Sequence, residues 1–341
     1  MRLLFQFSTL ALASSLLLGA CLRDQKAPSL QQVALRSPLN SLKTLKEPVF
    51  GNTATNLRRI QQKPYNGTVR FVVMGDNRNS SPFSHGGDKI YAKVIEKVNQ
   101  LQPDFAVNLG DFTFDNLAPH WRDFERITSN VKTPYLTVVG NHDILFGRSY
   151  YESSYTPPNP ETGLDDYAFD YGNTRFIALD TANFTVTDRQ FTWLERQMQT
   201  PFKKVVFTHT PPRHGVWEHK LSPSPEVSKR FLELNQKYQV EHVFLGHIHL
   251  FDQRQVNGIK YIVSGGGGAP MDQGRDYGQN IYHVILVEIK DGQLTTQMIP
   301  IQTRIKTQGP TTYSTGLDTA QQVRPEVVNS FPTDIIPADE Q

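Results

Sequence analysis

Five apolar runs in this 341-residue chain end alike: a short aliphatic or aromatic stretch, often a glycine, then Asp, Asn or His. The ends are Gly75–Asp76–Asn77–Arg78, Gly110–Asp111, Gly140–Asn141–His142–Asp143, Thr208–His209–Thr210 and Gly246–His247–Ile248–His249. Continuous apolar runs suit strands buried on both faces, which is the condition of a sheet covered by helices. Ligands of such open α/β sheets gather at the carboxyl ends of the strands, where these polar residues fall. Carboxylate, amide oxygen and imidazole without thiolate suit hard to borderline divalent metals such as Mn, Fe or Zn. Four of the ten histidines sit at these ends, and His247 and His249, two apart, project to one side of an extended chain and can serve two adjacent metals.

The surrounding pattern agrees. Strands are expected at 69–75, 104–110, 135–140, 167–171, 175–180, 204–209, 242–246, 260–264, 283–289 and 293–300. Amphipathic helices are expected at 88–102, 120–130, 187–199 and 225–238. The alternation predicts an α/β fold, with the late strands adding antiparallel pairs. There are no internal repeats.

Composition removes several classes of function. With 35 basic and 33 acidic residues the net charge is +2, which argues against a dedicated nucleic-acid binder. A single Cys excludes a disulfide framework and multi-cysteine zinc sites. After residue 20 no apolar run is long enough for a polytopic membrane protein.

That Cys closes a leader. Arg2 and the apolar stretch 3–18 read as a secretory signal, residues 1–20, ending Leu18–Gly19–Ala20–Cys21. This end resembles the lipobox of bacterial lipoproteins, which implies acylation of Cys21 and an extracytoplasmic protein lipid-anchored to a bacterial membrane, with the outer membrane and the cell surface both open. Residues 21–66 then read as a basic tether, with eight basic and two acidic residues, hence net +6, and four prolines. Such a segment suits a solvated spacer, or contact with anionic headgroups as a second membrane signal. The body is expected over 67–302, and 303–341, rich in Pro, Thr and Gln, reads as an extended or disordered tail.

The five strand ends, in this order, resemble the motifs of the calcineurin-like metallophosphoesterases, over about 70–268. Gly140–Asn141–His142–Asp143 with Gly246–His247–Ile248–His249 about 100 residues later is the specific part of the match. The 167–180 hairpin and the Ser264–Gly268 turn fit as well. The resemblance implies a four-layer α/β/β/α sandwich with two divalent transition metals at its rim. Carried over, Asp111 bridges the metals, Asp76 and His249 bind the first, and Asn141, His209 and His247 bind the second. His142 protonates the leaving oxygen or stabilises the transition state, while a metal-bridging hydroxide attacks phosphorus. The substrate is then a small extracytoplasmic phosphoester, with monoesters slightly preferred.

Two positions depart from the family. Most members carry Asp-x-His in the first motif; here the slot is Arg78, a permanent cation that cannot coordinate a metal. It can grip a substrate phosphate, or mark a first site that is weak. His85 is a remote substitute ligand. Phe114 stands where purple acid phosphatases place an iron-binding Tyr and protein phosphatases an Asp, so a tyrosinate site is not expected. Asp115 and Asp143 both remain open as partners of His142. His120 and Trp121 read as packing or capping. His214, Trp217 and His219 lie in an insert over the metals, and Phe146, Tyr150, Tyr151 and Tyr155 form an aromatic loop; substrate contact or packing is open for both. The rival reading is a non-catalytic lipoprotein that binds a phosphorylated envelope component.

Overall fold

The computed structural model describes residues 50–217 and 222–303. The leader, Cys21, residues 22–49, His219 and the tail beyond 303 lie outside the described residues.

Among the described residues eleven strands form two mixed sheets. The first has the order β11 (Gln293–Pro300), β10 (His283–Lys290), β1 (Thr68–Met74), β2 (Phe105–Asn108), β3 (Tyr135–Thr137). The second has the order β4 (Tyr167–Tyr171), β5 (Thr174–Leu179), β6 (Lys203–Thr208), β7 (His242–Leu245), β9 (Ile259–Ser264), β8 (Phe251–Val256). The centres are parallel, β1 with β2 and β5 with β6 and β7, so their carboxyl ends share an edge.

Period-two alternation sets the layers. Phe71 and Val73 of β1 point between the sheets with Phe105, Phe176, Phe207 and Phe244. Val72 and Met74 point the other way, onto α2 (Gly86–Leu101) and α3 (Ala118–Thr128). On the far side α5 (Asp188–Met198) and α6 (Pro225–Lys237) cover Val206, Val243 and Leu245. The four-layer α/β/β/α sandwich expected from the sequence is therefore present. Helix α5 opens on a capping box, Thr187 with Gln190.

Three elements differ from the sequence reading. Residues 53–61 are not tether but helix α1 (Thr53–Gln61), capped by Asn52. Its buried Asn56 donates from Nδ2 to the Tyr135 carbonyl at 2.8 Å, and Ile60 is fully buried, so the body begins before residue 67. Strand β8 was not expected, because its Asp-Gln-Arg-Gln stretch lacks an apolar face; the Asn257–Gly258 turn that pairs it with β9 is its signal. A short helix, α4 (Ser149–Ser154), follows the third strand end. Among the described residues no helix is long and apolar enough to cross a membrane.

Candidate metal centre

The five strand ends converge. Ligand atoms of Asp76, Asp111 and His249 all lie within 4.8 Å of one another. Asn141 Oδ1 is 3.0 Å from both His209 Nε2 and His247 Nδ1, and His209 Nε2 is 3.3 Å from Asp111 Oδ1. Asp111 thus adjoins both groups, and the structure places all six candidate ligands in one cluster. Asp76, Asp111 and His209 are buried.

Local backbone geometry makes the convergence possible. Asp76, Asp111 and His247 hold left-handed φ values of 59°, 56° and 68°, a strain that tends to collect at functional sites. His247 and His249 are therefore not in extended chain. Tight turns replace it, with Ile248 N–H donating to Gly246 and Leu250 N–H to Ile248 at 2.8 and 2.7 Å, and they send one ring to each half of the site. Gly140 lies so close to Asp111 that a Cβ there would sit 2.2 Å from its backbone nitrogen. The 265–268 turn packs on the first strand end, Gly267 N–H donating to the Gly75 carbonyl at 2.8 Å, in keeping with a structural turn beside the site.

The donor set fits metal ions. Carbonyl oxygens only accept, so His209 Nδ1, 2.8 Å from the Leu109 carbonyl, and His249 Nδ1, 2.8 Å from the Pro270 carbonyl, carry the protons. In the neutral rings Nε2 is then a lone pair. His209 Nε2 faces the oxygens of Asn141 and Asp111, and His249 Nε2 faces Asp76 Oδ1 at 3.6 Å. Lone pairs turned on one another in a buried site call for a cation between them, and a ring N–H on a carbonyl is the usual support of a ligating His. The carboxyls agree. Burial, then the charge of Asp111, pushes the Asp76 pKa well up. The Asp111 pKa is held down against burial by the positive charge of His209 and His142 where those rings are protonated, and by Arg78. Burial, then Arg78, lowers His249 to about 4.

Arg78 lies in the cluster, with Nε 3.5 Å from Asp111 Oδ2 and Cζ 5.7 Å from the Phe114 ring centre. Among the described residues its buried Nε has no hydrogen-bond partner. His142 donates from Nδ1 to the Phe114 carbonyl at 2.6 Å, which turns Nε2 to 4.0 Å from Asp111 Oδ2. Neither open acidic partner orients this ring. Asp115 pairs with His120, and Asp143 accepts from the backbone N–H groups of Asp111, Phe112, Thr113 and Gly140.

His85 stands apart, 3.1 Å from Asp88 and exposed, so it is no substitute ligand. Trp217 is fully buried and donates to Asp252 at 2.8 Å, so it packs rather than walls the site. Tyr151 and Tyr155 are buried in the core and Tyr150 stacks on Trp121; of these four aromatic residues Phe146 is the one open to solvent. His120 and Trp121 are a paired and a packed residue, as expected.

Sequence reading did not identify the clamp beside the site. Arg148 donates to Asp165 and Asp180 at 2.7 and 2.6 Å, joining the third strand-end loop to β5. Burial first, then Asp180, raises Asp165 to about 8, and burial raises Asp166 to about 6. The fold therefore holds protons that the unfolded chain has released above its ordinary carboxyl range. The stability tied to them is complete below about pH 4 and is lost as pH rises through about 8. The melting temperature of metal-stripped protein should fall between pH 6.5 and pH 8.5, above the range in which buried histidines such as His249 act with the opposite sign, and Asp165→Asn should flatten that fall; a slope unchanged in the variant would contradict the assignment.

Fold and cluster together define a four-layer α/β protein with a buried acid–amide–imidazole centre at the shared strand edge. A profile of the calcineurin-like phosphoesterases matches residues 69–251, more than half the chain, and the chain belongs to that family. Purple acid phosphatase 23 of Arabidopsis thaliana is 27% identical over 210 residues, 53% of this chain and 45% of that protein. The chain spans about half the length of the first curated relatives it matches. Among solved structures, purple acid phosphatase PPD1 from yellow lupin seeds aligns with a TM-score of 0.57 at 17% identity, covering 70% of this chain and 52% of that one. A dimetal phosphatase from Danio rerio aligns with a TM-score of 0.57 at 13% identity, covering 69% and 96%. Both support the fold.

Proposed function

We propose that this chain is a metal-dependent phosphoesterase, anchored outside the cytoplasm through acylated Cys21, that hydrolyses a small phosphoester. The observation that carries the reading is the position of Asp111, flanked by Asp76 and His249 on one side and by Asn141, His209 and His247 on the other. Two divalent ions such as Mn, Fe or Zn would activate water and neutralise charge on the phosphoryl oxygens. Asp76, Asp111 and His249 would hold the first, with Asp111, Asn141, His209 and His247 holding the second.

Arg78 supplies N–H donors beside Asp111 and binds the phosphoryl group, which favours the dianion of a monoester. His142, fixed by the Phe114 carbonyl, presents Nε2 as the atom that passes a proton to the leaving oxygen once the ring is protonated. The anchor rests on the lipobox-like 18–21 stretch and the basic segment after it. The even charge balance disfavours nucleic acid as substrate.

The second reading, a lipoprotein that binds a phosphorylated envelope component without turnover, is favoured by one feature, Arg78 in place of the usual His. Against it stands the assembly of six ligand candidates and His142 around one centre. The test is hydrolysis of a chromogenic phosphomonoester and its diester by residues 22–341, metal-stripped and then given Mn, Zn, Fe or Mg. Metal-dependent turnover favouring the monoester is expected; folded protein inert to both with every metal would select the binding reading. Arg78→His should tighten the first metal about 10-fold or more, the scale of a restored shell contact. Titration calorimetry showing unchanged affinity would count against the role given to Arg78.

A further inference from the structure

We propose that the phosphoester cleaved here carries an apolar leaving alcohol, seated on Phe114, Leu117, Leu145 and Phe146. The inference rests on the phosphoesterase reading and adds the chemistry of the group that departs.

The side from which it departs is set by His142, whose Nε2 supplies the proton. The Phe114 ring lies 6.0 Å from the His142 ring and 5.7 Å from Arg78 Cζ, so it flanks both the proton donor and the phosphate-binding cation. The chain leaving His142 runs through a single 3-10 turn, His142–Ile144, to Leu145 and Phe146, which are 40% and 89% exposed. Leu117, three residues past Phe114, is 48% exposed.

These side chains come from two loops that are fastened together. Asn116 Nδ2 donates to the Leu145 carbonyl and, at 2.7 Å, to the Gly147 carbonyl, while its Oδ1 accepts from Trp121 Nε1 at 2.8 Å. The two loops that carry the apolar groups are therefore braced against each other. A third loop joins them, because His120 Nε2 contacts the Pro82 carbonyl at 3.2 Å, next to Phe83, which is 93% exposed.

Packing does not account for this surface. Phe146 contributes little to the core at its exposure, and its φ of 64° is costly for a bulky residue. Strain and exposed aromatic surface coinciding beside a site point to a ligand rather than to stability. The polar groups of these loops are already engaged, Asp115 with His120 and Asn116 with the two carbonyls. A polyol leaving group would surrender its water without gaining partners, whereas a hydrocarbon one gains by burial. In the reaction water gives up one proton as its oxygen bonds to phosphorus, the bond from phosphorus to the ester oxygen breaks, and that oxygen takes a proton from Nε2 of the His142 imidazolium to leave as the alcohol, the proton released by water replacing the one His142 gave.

An aryl and a long alkyl alcohol share this chemistry, and substrates can separate them. Manganese-loaded residues 22–341 and the exposed-site variants Phe146→Ser and Leu145→Ser would be compared on phenyl, octyl and glycerol phosphates. The readout is the ratio of kcat/KM for each apolar ester to that for glycerol phosphate, which cancels differences in intrinsic reactivity between proteins. A fall of about 10-fold or more in the variants is expected, within reach of a few lost apolar contacts. Loss for phenyl alone assigns an aryl group, for octyl alone an alkyl chain. Calorimetry with phenyl-, octyl- and methylphosphonate should show the same preference without turnover. Ratios and phosphonate preferences unchanged by both variants would overturn the proposal. Hydrolysis of none of the esters by folded, metal-loaded protein would instead strike the phosphoesterase reading, with phosphonate preference still deciding the seat.

Discussion

Asp111→Asn should lower kcat by about 10³-fold or more, near 4 kcal/mol of barrier, and should cost the protein its metal. The carboxylate adjoins both halves of the ligand cluster, and a neutral amide removes the one charge they share. The fold should survive, since an amide oxygen can still accept the His142 N–H that reaches Oδ1 at 3.0 Å. Relief should even follow at Asp76, whose carboxyl is discouraged from ionising by burial and then by Asp111. Kinetics, elemental analysis and a thermal melt separate these effects. Loss of activity and metal with an unchanged or raised melting temperature of the metal-free protein is expected. Full activity in the variant would remove Asp111 from the chemistry.

Asp143→Ala should produce the largest loss of stability among single changes near the site. Its two oxygens take the N–H groups of Asp111, Phe112 and Gly140 at 2.8, 2.8 and 2.9 Å and that of Thr113 at 3.1 Å. All four donors are buried, and each left without a partner costs about 1–3 kcal/mol. Even the lower end of the sum, about 4 kcal/mol, is a large part of a typical domain's stability, and corresponds to a fall of roughly 10 °C or more in melting temperature. Asp143→Asn, which keeps one acceptor oxygen, should fall between the variant and the natural protein. A melt of Asp143→Ala within about 3 °C of the natural chain would show that the loop is held by something else.

The strand ends were readable in the sequence because a polar residue after a buried apolar run has one place to go in an open α/β sheet. Their convergence follows from topology, and parallel pairing of β1 with β2 and of β5 with β6 and β7 sends those carboxyl ends the same way. What escaped was built from backbone. His142 is oriented by the carbonyl of Phe114, and a carbonyl leaves no mark in a sequence. The turn at His247 depends on a left-handed φ that His adopts only when surrounding contacts enforce it. Helix α1 was missed because the residue it buries most usefully is an amide, Asn56. The Arg148 clamp joins residues from separate loops with no characteristic spacing.

The most direct test of a metal-dependent phosphoesterase at this centre is metal content and turnover measured on one sample. Residues 22–341 would be stripped with chelator, titrated with Mn, and assayed for phenyl phosphate hydrolysis and bound metal per chain at each step. Turnover should be absent from stripped protein, rise with metal bound and vanish again on chelation, with Asp111→Asn neither loading nor turning over. Hydrolysis that persists in stripped protein, or metal that loads equally in Asp111→Asn, would contradict it.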